Sequence, residues 1–83
     1  MSTTTTAGER LRASRRSIDV TQSKLARRSG VARFKICTFE LNGGSLSLEE
    51  QRRIKVALEE EASRLRSAAS QLVIDELDLA VGE

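Results

Sequence analysis

Residues 21–42, TQSKLARRSGVARFKICTFELN, hold two short runs of helical periodicity with one glycine between them, and that glycine restricts how the chain can fold. Leu25 and Ala26 share a face of the first run, while Val31, Ile36 and Phe39 form an apolar row along the second. The Thr21 hydroxyl can accept from amides two or three residues on and so start the first helix. Gly30 tolerates the left-handed backbone that a sharp exit requires. The pattern predicts two helices joined by a tight turn, with Arg33, Phe34, Lys35 and Thr38 on the outer side of the second.

Those side chains suit one purpose. A guanidinium pairs with guanine, a hydroxyl with a base or phosphate, and an aromatic ring packs on a thymine methyl; a helix-turn-helix presents such a helix to the major groove of DNA. The charge distribution agrees. Residues 1–53 hold 11 Lys or Arg against 5 Asp or Glu, whereas residues 54–83 hold 3 against 7. A basic half attracts phosphate and an acidic half is repelled by it, so the C-terminal part is expected to point away from a duplex. The Arg15-Arg16 and Arg27-Arg28 pairs fit phosphate contact and a solvated surface equally well.

The run from Arg10 to Leu58 resembles the lambdoid phage repressor and Cro helix-turn-helix family over roughly 50 of the 83 residues. The matches are Arg15 in helix 1, Gln22, Leu25 and Ala26 in helix 2, Gly30-Val31 at the turn, and Ile36 with Glu40 in helix 3. The resemblance implies that Gln22, opening helix 2, touches phosphate or buttresses a base contact, and that Arg33, Phe34 and Thr38 read bases; Ser23 and Lys35 beside them are also expected to contact DNA. It further implies an ion pair between Arg15 and Glu40 that fixes helix 1 against helix 3. Two positions depart from the family: Ala32 stands where a Ser or Thr cap is frequent, and Asp19 where Gly is common.

Outside this core, residues 1–7 (MSTTTTA) are poor in apolar content and read as a disordered arm. The helix-turn-helix core takes residues 8–46, with helix 1 from about Gly8 to Ser17. Ser47-Leu48-Glu49-Glu50 is a capping box, and no Gly or Pro follows until Gly82. Residues 47–80 therefore read as helix 4 and a C-terminal dimerisation helix in one rod of about 50 Å, with 81–83 as a tail. Leu58, Leu65, Leu72 and Leu79 recur every seven residues, the spacing of a narrow helix–helix seam. Self-association is expected to cover that seam, because the head has few apolar residues free to receive it; folding back onto the head is the alternative. Glu61, Asp75 and Glu76 interrupt the seam's other face.

The expected fold is thus all-α, a compact bundle of four to five helices with a long C-terminal helix. With no His and one Cys, the usual metal sites, thiol–His and Ser–His nucleophiles and disulfides are out of reach, so neither an enzyme nor a cofactor is expected. Cys37 reads as a small half-buried residue of helix 3 rather than a redox sensor. No apolar run is long enough for a membrane span or a signal peptide, which predicts a cytoplasmic protein. The expected activity is sequence-specific binding of double-stranded DNA by a homodimer, as a transcriptional repressor on an inverted repeat. The alternative is an antitoxin-like interaction protein whose C-terminal helix binds a protein partner, with DNA binding as autoregulation.

Overall fold

Among the described residues, hydroxyl caps start three of four helices. Thr6 opens α1 (Ala7–Ser17), Thr21 opens α2 (Gln22–Ser29) and Ser47 opens α4 (Leu48–Val81), while α3 (Arg33–Glu40) has no side-chain cap at Ala32. The computed structural model describes the backbone of residues 5–81 and the side chains of residues 5–71, and all helices among them are α-helices. The Thr6 cap is a full box: Glu9 N donates to Thr6 Oγ1 at 3.1 Å and Thr6 N to Glu9 Oε1 at 2.9 Å. Order thus reaches into the arm expected over residues 1–7, with Ala7 already helical; residues 1–4 lie outside the described residues. Ser47 and Glu50 repeat the arrangement at 3.1 and 3.0 Å.

Where α3 lacks a cap, the preceding turn is held by Ser29. Its buried hydroxyl donates to Leu25 O at 2.7 Å and accepts from Val31 N at 3.2 Å, and Gly30 passes through φ 76° between them. Asp19 sits at φ 60° in the α1–α2 turn, the left-handed conformation that explains why glycine suits this position. Gly8 has a different duty. A Cβ there would collide with Phe39 O and lie 2.9 Å from Asn42 Oδ1, so α1 approaches the end of α3 only because residue 8 has no side chain.

The core joins Leu11 of α1, Val20, Leu25, Val31 and Ile36, with Leu25 and Ile36 wholly enclosed; Leu46, Ile54 and Ala57 complete it. Each enclosed aliphatic side chain contributes roughly 1.5–3 kcal/mol. Helix α3 packs on both α1 and α2, and α4 packs mainly on α2.

Helix α4 runs unbroken for 34 residues through Glu59-Glu60-Glu61. Its start belongs to the head and residues 63–71 do not: Leu58 packs half-buried against the core, whereas residues 63–71 are all exposed. Leu58, one turn beyond Ile54 on the stripe that meets the core, joins the head to the expected seam. Leu65 is 47% exposed and available to another surface, while the side chains of Leu72 and Leu79 lie outside the described residues. Glu61 also turns inward, its side chain 6% exposed, and meets Lys24 Nζ at 3.0 Å, Arg64 Nη1 at 3.2 Å and Arg28 Nε at 3.3 Å.

Candidate nucleic-acid interface

The α2–turn–α3 unit is positioned by one carboxylate. Glu40, 4% exposed, accepts from Arg15 Nε at 2.8 Å and Nη2 at 2.9 Å in a bidentate pair, and from Gln22 Nε2 at 3.0 Å. Arg15 also donates from Nη1 to Val20 O at 2.9 Å, so a single guanidinium ties α1, the α1–α2 turn and α3 together. Burial pushes the Glu40 carboxyl up, but the hydrogen bonds from Arg15 and Gln22 outweigh it and hold the group below its ordinary value. The same bond to Glu40 raises Arg15. Both remain charged across the physiological range, and the end of α3 is fixed against the start of α2.

The site residues expected from the sequence divide into two groups. Ser23 near the start of α2 and Arg33 at the start of α3 are exposed, and Phe34 is 79% exposed. All three are open to solvent on the helix-turn-helix unit. Gln22, by contrast, is half-buried with its amide nitrogen committed to Glu40, a buttressing role. Lys35 is exposed but bound to Glu50 Oε2 at 2.7 Å, and that bond lowers the Glu50 pKa. Thr38 does not project freely as the helical spacing suggested. It is half-buried, its hydroxyl donates to Phe34 O at 2.8 Å, and Gly44 leaves the space its methyl occupies.

The solvent side of α3 is therefore less polar than its composition. Phe34, Cys37 and Leu41 fall at i, i+3 and i+7, with Leu41 68% exposed and Cys37 half-buried. Among the described residues, Arg33 is the cation of α3 without an internal partner. On α2, Arg27 is exposed, while Lys24 and Arg28 are drawn to Glu61. The Glu61 carboxyl is held below its ordinary value by the hydrogen bond from Lys24, against the opposing effect of burial. Its Oε2 has Arg28 and Arg64 within ion-pair distance but no hydrogen-bond partner among the described residues. Sequence reasoning missed this cluster, as it missed the links from Gln22 to Glu40 and from Lys35 to Glu50.

What the arrangement can do is present one short helix, rigidly seated and open along Arg33 and Phe34, to a groove as wide as itself. Comparison with protein-family models, with curated protein sequences and with solved structures finds no match to this chain.

Proposed function

We propose that this protein binds double-stranded DNA sequence-specifically as a homodimer on an inverted repeat and regulates transcription, acting as a repressor. One observation carries this reading: α3 follows a three-residue turn locked by Ser29 and Gly30, and it leaves Arg33 and Phe34 exposed on the basic half of the chain. A guanidinium and an aromatic ring on a fixed helix can read guanine and thymine edges in the major groove. A dimer covering a promoter excludes polymerase without any chemistry, so the reading includes no catalytic residue and no cofactor. Its place of action is the cytoplasm; no helix among the described residues is long and apolar enough to cross a membrane.

Selection of bound duplexes from random DNA tests the proposal. A palindromic consensus supports it, and an unenriched pool refutes it. A second reading draws on residues 63–71 of α4, exposed along their whole length: an antitoxin-like role in which this part of the helix engages a protein partner and DNA binding is autoregulation. Hydrogen exchange separates the two, since that reading requires α4 beyond Ala62 to exchange freely until the partner is added.

A further inference from the structure

An apolar groove of about 580 Å³ lies between α1 and α4, walled by Leu11, Ile18, Ile54, Leu58 and Ala62. Arg10 and Lys55 stand at its edges with Glu59. Where the sequence leads one to expect few free apolar residues on the head, the half-buried Ile18 and Leu58 keep open faces toward this groove. The groove lies beside the stripe of α4 that continues to Leu65.

Two segments of this protein could close it. The end of its own α4 would have to reverse direction, but α4 is one helix from Leu48 to Val81 with neither Gly nor Pro in it. Past Ala62 it leaves its own groove at about 1.5 Å per residue. The same segment of another copy meets no such obstacle. Residues 72–83, LVIDELDLAVGE, contain seven aliphatic residues, four carboxylates and no cation. That composition complements an apolar groove edged by two cations, Arg10 and Lys55, against one carboxylate, Glu59.

We propose that the groove is the seat of residues 72–81 of a second copy, exchanged reciprocally so that two α4 helices run antiparallel about a two-fold axis. Placing residue 76 of one copy beside Ala57 of the other puts the axis between Arg66 and Ser67. Leu65, half exposed in the single chain, is then covered close to the axis. The two heads, counted from residues 54–57, stand roughly 30–40 Å apart along the helix pair. One turn of DNA separates half-sites by about 34–36 Å. This deepens the homodimer half of the function proposed above and uses neither α3 nor DNA.

Cross-linking in trans tests it with the full chain. In a Cys37→Ser background, one tagged chain carries Ser14→Cys, on the exposed α1 wall of the groove. A differently tagged chain carries Val73→Cys, Leu77→Cys or Ala80→Cys. After mixing and oxidation with glutathione disulfide, at least one pair should form an interchain disulfide at least ten-fold more than a Ser63→Cys control. Absence of any such disulfide in a chain that sediments as a dimer overturns the exchange in favour of another dimer. A chain bearing both cysteines that links only to itself overturns it in favour of fold-back, and a monomer at tens of micromolar overturns it outright. DNA selection is scored separately, so either proposal can fail alone.

Discussion

Replacing Glu40 by alanine removes the acceptor of three hydrogen bonds, two from Arg15 at 2.8 and 2.9 Å and one from Gln22 at 3.0 Å. It strands the Arg15 guanidinium, whose side chain is only 11% exposed. Breaking a buried pair by deleting one partner costs about 3–5 kcal/mol. The bond from Arg15 to Val20 O survives and keeps part of the guanidinium satisfied, which places the expected loss near the lower end, about 3 kcal/mol. At typical values per residue, a chain of this size is stable by only about 4–12 kcal/mol in total. At about 4–8 °C per kcal/mol, the melting temperature should fall by more than about 12 °C. Thermal melting followed by far-ultraviolet circular dichroism measures this directly. Glu49→Ala is the control: it removes the same charge from an exposed side chain that pairs only with exposed Arg52 and Arg53, and should change stability by less than about 0.5 kcal/mol. Equal melting temperatures for the two variants would refute the role given to Glu40, and a thermodynamic cycle with Arg15→Ala would locate the error.

Glu40 also sets part of the acid limb of stability. Its folded-state pKa lies below 4.5, so its contribution is present above that value and is lost as pH falls through the lower folded one. Glu40→Gln should therefore lose stability at neutral pH and show a flatter decline below pH 4.5 than the parent, which urea midpoints across pH will show. Gly8→Ala, helix-favouring elsewhere, should here destabilise by about 1–3 kcal/mol because the new methyl meets Phe39 O across α1 and α3; an unchanged urea midpoint would contradict that packing. Arg33→Ala should weaken the selected duplex by about 1–3 kcal/mol and relax preference at one base pair, whereas equal weakening on random DNA would mark a phosphate contact. Leu65→Asp should shift sedimentation toward monomer while the head stays folded by far-ultraviolet circular dichroism, since Leu65 lies past the core.

The parts of the fold legible in the sequence are those fixed by neighbours a few residues apart. Thr21 with the amide of Lys24, Gly30 at the helix exit and the Ser47–Glu50 box each need only a local spacing, and each stands where that spacing put it. Thr6 and Glu9 carry the same box signal inside a threonine run whose composition reads as an arm; at this end local spacing outweighs composition. Four leucines at intervals of seven read as one seam because periodicity says which residues share a stripe and not where the head ends along it. Glu61, between Leu58 and Leu65 on that stripe, looked like a fault in the register. Only the packing of α4 on α2 brings Lys24 and Arg28 to meet it. Likewise the bond between Lys35 and Glu50 depends on how α4 crosses α3, and the groove on how far Gly8 lets α1 settle against α3.

The Glu61 cluster has a consequence for measurements in salt. Affinity for a polyanion rises at low ionic strength because each cation that meets a phosphate frees condensed counterions from the nucleic acid. Lys24 and Arg28 already hold a carboxylate at 3.0 and 3.3 Å, and Lys35 holds another at 2.7 Å. A phosphate approaching any of the three must compete with an internal anion that dilution cannot remove. The net basicity of residues 1–53 therefore overstates the number of cations ready to neutralise a backbone. Titrations on duplex DNA should give a logarithmic salt slope shallower than that charge suggests, and Glu61→Gln should steepen it by returning Lys24 and Arg28 to the solvent.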